Sequence, residues 1–245
     1  MKRIIYLLIL FPIFIYSQTK VLPFKNGESC SYHIHYGILG GGNADYIISQ
    51  NKEETKVIVE GESNYFVDLF FMIRDRYETI INNSTVSPKY FKRDVIEGED
   101  EIHQEYFFNN KNNIVKTHKG DFEMVQNSQD MLSAFMYGRT FSSKYLKQKE
   151  PFYINLFIDE ENYNMEVRYL GTEIVNTEIG KIKCIKLAPK VQVGRVFSNE
   201  DDLIIWVSDD KNHILIKIEM GILVGSIEVD IISSKNIKFP LSITD

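Results

Sequence analysis

The sequence predicts an all-β protein, an antiparallel barrel-like or strongly curved sheet that carries one short amphipathic helix. Three observations predict it. Apolar side chains alternate with period two along most of the chain beyond its first twenty residues, the mark of half-buried strands. Clusters of Gly, Asn and Asp punctuate those runs at short intervals, as turns between antiparallel strands require. Only one segment repeats its apolar residues at helical spacing.

In chain order, the first element is one expected to be removed. Lys2 and Arg3 precede thirteen uncharged residues, Ile4 to Tyr16, and then Ser17-Gln18-Thr19. This is the layout of a secretory signal peptide. Thirteen helical residues rise only about 20 Å, short of a hydrocarbon core of about 30 Å. Residues 1–18 are therefore expected to be cleaved, leaving 19–245 as a single β-rich domain with no transmembrane segment. No cysteine lies near the cut, so lipid attachment there is not expected.

Strands are predicted over 29–36, 44–50, 55–61, 73–81, 86–95, 101–108 and 113–118. In the second half they are predicted over 152–158, 163–169, 173–177, 181–188, 203–208, 214–220 and 222–232. Ile214, Ile216, Ile218 and Met220 share one face, opposite Lys217 and Glu219. Turns are expected at Gly40-Gly41-Gly42-Asn43, at Glu97-Gly98-Glu99-Asp100, from Asn109 to Asn113, and from Asp209 to Asn212. Phe66 to Ile73 suits either a strand or a helical turn. Between Asn127 and Phe141, Met131, Leu132, Phe135 and Met136 recur at helical spacing. Ser128 is the expected N-cap, with Asp130 in the first turn and Arg139 near the end. This helix is expected to pack on the sheet or across a barrel mouth. Faint echoes between residues 70–93 and 204–219, and between 32–37 and 167–171, fit two related halves. Amphipathic hairpins also resemble one another by patterning alone.

Composition narrows the function. With 28 basic and 34 acidic side chains, a net charge of −6 and no basic tract, a nucleic-acid partner is not expected. Cys30 and Cys184 are the two cysteines. In an oxidising compartment they can form one disulfide, or both can be buried thiols. His33 and His35 lie two apart on a predicted strand and so share a face. They are candidate metal ligands if a carboxylate or histidine from a neighbouring strand joins them. No Gly-x-Ser-x-Gly elbow, phosphate loop or activated cysteine motif is present, and no cofactor is expected. Aromatic residues make up 13% of the chain and can either line an apolar cavity or fill the core.

Several blocks together carry a family likeness. They are Phe24-Lys25-Asn26-Gly27-Glu28-Ser29-Cys30-Ser31-Tyr32, Ile73-Arg74-Asp75-Arg76-Tyr77-Glu78, and Asp130-Met131-Leu132-Ser133-Ala134-Phe135-Met136-Tyr137-Gly138-Arg139. Gly180-Lys181-Ile182-Lys183-Cys184 and Leu203-Ile204-Ile205-Trp206-Val207-Ser208-Asp209-Asp210 complete the set. In order and spacing, from about residue 24 to 232, these blocks resemble the domain of unknown function 3108 family. Leu215 departs from the family, which tends to have Pro there. The resemblance implies an exported β-rich envelope protein and brings no catalytic residues with it. More distantly, Trp206-Val207-Ser208-Asp209-Asp210 and the hairpin after it resemble the LolA/LolB lipoprotein carriers, in which a helix closes an incomplete barrel over acyl chains.

The leading expectation is therefore a non-catalytic periplasmic or outer-envelope protein that binds a lipid-like or glycan ligand in a barrel-like cavity. Met131, Leu132, Phe135, Met136 and Trp206 would form its wall or lid. A second expectation is an enzyme acting on envelope polysaccharide, with Asp75, Tyr77, Arg139 and His33/His35 converging in a cleft. A third is a scaffold that docks an envelope protein partner through a large exposed apolar patch.

Overall fold

A computed structural model describes residues 21–37, 39–191, 199, 202–221 and 226–245. The expected signal peptide lies outside the described residues, as do positions 222–225 of the last predicted long strand. Among the described residues, no helix is long and apolar enough to cross a membrane.

Among the described residues, the strands form one fifteen-stranded antiparallel sheet. The first meander comprises β1 (Ser29–Tyr36), β2 (Leu39–Gln50), β3 (Glu54–Ser63), β4 (Ile73–Asn82), β5 (Pro88–Glu97), β6 (Asp100–Asn109), β7 (Ile114–Thr117) and β8 (Gly120–Glu123). The second comprises β9 (Phe152–Ile158), β10 (Glu161–Thr177), β11 (Gly180–Pro189), β12 (Leu203–Ser208), β13 (Leu215–Gly221) and β14 (Ser226–Lys235). The two are zipped together where β1 pairs with β14, and a short β15 (Ile243–Thr244) pairs with β11. Among the described residues, three short helices interrupt the strands: α1 (Tyr65–Asp68), α2 (Met131–Arg139) and α3 (Ser143–Leu146).

The sheet is open, yet its two edges are brought together. The segment from Met124 to Gln129 leaves β8 and runs beside β9, where the Gln129 N–H donates to Asn155 O and the Phe157 N–H donates to Gln129 O. Phe157 of β9 then packs its ring among Tyr106, Phe108 and Phe122 of the opposite edge. The barrel-like curl is thus held by a loop and by aromatic packing where ladder hydrogen bonds are missing.

Helix α2 is the hub inside the curl. Leu132 packs on the cluster around Phe91, Tyr106 and Phe157, Ala134 belongs to the one around Leu156 and Ile185, and fully buried Met136 to the largest one. Its N-cap is Asp130, whose Oδ1 accepts from the backbone N–H groups of Leu132 and Ser133. Ser128, expected to cap, instead closes the preceding turn by donating its hydroxyl to Val125 O. The side chain that reaches two orphan N–H groups wins the cap.

The expected glycine turn at residues 40–43 is strand. A Cβ on Gly42 would meet Glu62 O at 2.1 Å, so glycine here permits close strand pairing, and the turn falls nearer Gly37. The predicted strands 163–169 and 173–177 are one strand, β10, with a register shift between Tyr169 and Gly171. There Gly171 adopts φ +140°, which marks a bulge rather than a break.

Candidate functional site

The residues expected to form a wall or lid have separate environments. Met136 is buried in the core, Met131 is exposed, and Leu132 and Phe135 are half-buried against different clusters. Trp206 stands on β12, where its indole N–H donates to Glu173 Oε1 at 2.6 Å. Lys186 and Lys217 lie 4.7 and 5.7 Å from its ring centroid. The grouping expected of an enzyme is dispersed. Arg139 is interior, Tyr77 packs toward Phe91 and Tyr106, Asp75 lines a charged cleft with Arg74 and Arg76, and His33 and His35 stack on β1.

Arg139 instead sits in a closed knot. Its Nη1 donates to Glu28 Oε1 and to the Tyr46 hydroxyl, both at 2.6 Å, and its Nε donates to Asn212 O at 2.8 Å. The Phe24 ring lies 5.4 Å from the guanidinium carbon. The two charged side chains are 1% and 0% exposed, so substrate cannot reach them. The knot fastens four parts of the chain: the residues before β1, β2 at Tyr46, the end of α2, and the turn between β12 and β13. Cys30 beside it and Cys184 on β11 are free, buried thiols, so the disulfide is not formed here. Burial first, then the charge of Glu28, pushes the Cys30 thiol up to about 12.

On the outer end of β1, His35 Nε2 lies 2.7 Å from Asp230 Oδ2 and Nδ1 lies 2.8 Å from Gly37 O. The hydrogen bond to Asp230 raises the imidazole above its usual value. His33 stacks on it with ring centroids 6.0 Å apart. The third ligand required of a strand-borne metal site is therefore available as a carboxylate.

The site open to a partner is the connection between β3 and β4. Asn64 caps α1, accepting from the N–H groups of Phe66 and Val67, and its own amide donates to Gly40 O at 2.6 Å. Arg74 Nη2 donates to Asp68 Oδ2 at 2.5 Å, and the Ser63 hydroxyl also bonds Asp68. Arg74, then Ser63, hold the Asp68 carboxyl below its usual value. The Gly98 N–H donates to Met72 O at 2.8 Å, and the Phe71 ring covers Gly98. A Cβ at that glycine would meet the ring at 2.6 Å.

Every polar anchor of this loop points down, and its apolar side chains point out. Phe70 is 90% exposed and Phe66 75%, joined by Tyr65, Leu69, Phe71 and, at the start of β2, Leu39. Leu39, Gly40, Phe66, Val67, Phe70 and Phe71 line a groove of about 530 Å³, within the roughly 300–1,000 Å³ of small-molecule sites. Exposed Glu99, Asp100 and Glu101 lie on the adjoining β5–β6 hairpin. The sequence signal was the apolar run Phe66-Val67-Asp68-Leu69-Phe70-Phe71-Met72-Ile73, which suited either a strand or a helical turn.

Comparison with known proteins agrees with this fold. The family model for proteins of unknown function DUF3108 matches residues 31–232. A crystal structure of a β-barrel-like protein of domain of unknown function DUF1849 from Brucella abortus superposes with a TM-score of 0.61 at 12% identity, covering 92% of this chain and 100% of that one. Weaker likenesses are to a hypothetical protein from Chlamydia trachomatis (TM-score 0.43, 9% identity, covering 92% of this chain and 95% of that one). Another is to a protein of Parabacteroides distasonis provisionally described as a lipoprotein (TM-score 0.36, 10% identity, 87% and 97% covered). The likeness to the Brucella abortus protein is one of fold and carries no assignment of activity. No curated protein matches the sequence.

Proposed function

The chain belongs to the DUF3108 family of proteins of unknown function, and from that premise we propose that it is an exported, non-catalytic envelope protein that holds the acyl chain of an amphipathic ligand in the aromatic groove. The observation that carries this reading is the outward apolar surface of a loop whose backbone is pinned by Asn64, Asp68 and Gly98. A loop that folds its polar groups inward and presents Phe66 and Phe70 to water spends stability for contact with something else. The groove's walls are hydrocarbon, which suits an acyl chain. The acidic residues on the neighbouring hairpin oppose docking on an anionic bilayer surface and favour a ligand with a neutral or cationic head. The signal-like N-terminus supports export, and the dispersal of Arg139, Tyr77 and the histidines weighs against catalysis.

This reading moves the ligand from the interior of the curl, where Met136 is fully buried within the core, to its rim. Titration with palmitoyl lysophosphatidylcholine below its micelle concentration tests it. One molecule is expected to bind per chain. Phe70→Ser is expected to weaken binding about tenfold or more, since burying one Phe is worth roughly 1.5–3 kcal/mol. If the wild type does not bind, or if a Phe66→Ser/Phe70→Ser variant binds equally well, the reading fails. Recovery of the pure protein instead in a stoichiometric complex with a basic envelope protein would turn the same surface into a docking face.

A further inference from the structure

His35 stands directly opposite Glu228 in the β1–β14 register, and Asp230 follows two residues later on the same face. One ligand atom from each of these three residues lies within 4.8 Å of the others. They form a separate site from the apolar groove, built from the sheet itself.

The imidazole is wired to meet a cation at Nε2. Its Nδ1 lies 2.8 Å from Gly37 O, and a carbonyl can only accept, so Nδ1 carries the hydrogen. The neutral ring therefore points the Nε2 lone pair at Asp230 Oδ2, 2.7 Å away. Two lone pairs at that distance share a proton; a metal ion, bonded at about 2 Å to each donor, would take the proton's place with the pair opened to roughly 3 Å. Donation of the other ring N–H to a backbone carbonyl is also how proteins fix the tautomer and direction of a metal-ligating histidine.

The surrounding charges fit a divalent ion. Lys217 is ion-paired with Glu228 through Oε2, which leaves Oε1 for a second cation. Glu219 faces Glu228 across the β13–β14 ladder. Glu219, Glu228 and Asp230 against the single Lys217 leave two negative charges in excess around a neutral imidazole. His33 is not needed as a ligand, because its Nδ1 lies 3.3 Å from Asn43 Oδ1 and its ring serves as a wall stacked on His35.

We propose that His35 through Nε2, with Glu228 and Asp230 through one carboxylate oxygen each, binds a divalent transition-metal ion of the zinc class. One nitrogen and two oxygen donors are a mixed set that zinc accepts, with the remaining position left to water. Because Gly37 receives the Nδ1 hydrogen, the ion would also brace the turn that presents Leu39 and Gly40.

Calorimetric titration of the chelator-treated protein with zinc chloride tests the site, and cobalt(II) serves as a spectroscopic probe. One equivalent is expected to bind, with visible cobalt absorption of low coordination number. His35→Ala and Asp230→Asn are each expected to weaken binding by about tenfold or more, since even loss of an outer-sphere partner costs roughly 10–100-fold. His33→Ala is expected to change affinity less than about threefold, as it removes no ligand. Thermal melts without metal establish that the variants fold, and Glu228→Gln provides a further ligand deletion should one of them not. Absence of saturable binding to the wild type overturns the proposal. So does binding that survives both His35→Ala and Asp230→Asn, which would place the metal elsewhere.

Discussion

At one end of β1, Glu28 and Arg139 hide full charges from water, and at the other end Phe66 and Phe70 hold full aromatic rings in it. Each arrangement reverses where such side chains usually lie. The charged pair is held by Tyr46, by Asn212 O and by the pair itself, although Glu28 Oε2 and Arg139 Nη2 stay buried without a hydrogen-bond partner among the described residues. In the aromatic pair, Phe66 meets the neighbouring Tyr65 ring edge-on with centroids 5.9 Å apart, and both rings of the pair stay largely in water. A buried charge paired with its counter-charge belongs to the fold, whereas an exposed ring on an anchored backbone points outside the fold.

The largest expected effect comes from breaking the first arrangement. Arg139→Met leaves Glu28 buried with no counter-charge and should cost about 3–5 kcal/mol of unfolding free energy. Removing both charges with Glu28→Leu/Arg139→Met should recover much of that loss, since apolar replacement of a whole buried pair is often neutral. Denaturant unfolding of the two variants measures both. A double variant as unstable as the single one would mean that Tyr46 and Asn212, rather than the pair, determine the cost.

A second buried charge sharpens the contrast because hydrogen bonds, not an ion pair, favour its ionised form. Burial lifts the Asp130 carboxyl to about 6, against the hydrogen bonds from Ser133, Thr79 and Leu132 that favour its ionised form. The folded protein therefore keeps this proton at a pH where the unfolded chain, near 3.8, has lost it. The contribution is most favourable below pH 4, declines as pH rises to 6, and above that costs roughly 3 kcal/mol. Asp130→Asn preserves a good N-cap and should flatten stability between pH 4 and 6 relative to wild type. Parallel melts across that range would show the difference, and identical slopes would exclude the carboxyl as its source.

The hinge of the aromatic loop should respond more weakly. Gly98 adopts φ +63° and lies under the Phe71 ring. Gly98→Ala should cost about 1–2 kcal/mol for the left-handed backbone, and it must also displace the ring. Tm and acyl-ligand affinity should fall together if the loop is one anchored unit.

Legibility in the sequence followed the same division. The longer strands were readable because each alternates over five or more residues, whereas the four-residue β8 and the two-residue β15 are too short to show a period. Three of the five blocks that carried the family likeness, Phe24–Tyr32, Asp130–Arg139 and Leu203–Asp210, meet at or beside the Arg139 knot, which explains why they were recognisable together. What could not be read is that Arg139 points inward. Its partner Glu28 is 111 residues away, and no local pattern records such a distance. The glycines at 40–42 misled for a related reason, since a residue chosen for close approach to Glu62 looks identical to one chosen for a turn. The aromatic loop was visible as an irregular run, but only its pinned backbone shows that the rings stay outside.

The smallest expected effect on stability is the most informative. Phe66→Ser/Phe70→Ser removes two large apolar side chains, a change that costs about 3–5 kcal/mol for one buried Phe. These rings are already in water, so the stability change should stay within about 0.5 kcal/mol. A loss near the core value would mean that the rings pack on the protein in solution and that the groove is closed by its own walls. An unchanged Tm alongside lost acyl binding would separate the two ends of β1 cleanly: residues around Glu28 that set whether the chain folds, and residues around Phe70 that set what the folded chain holds.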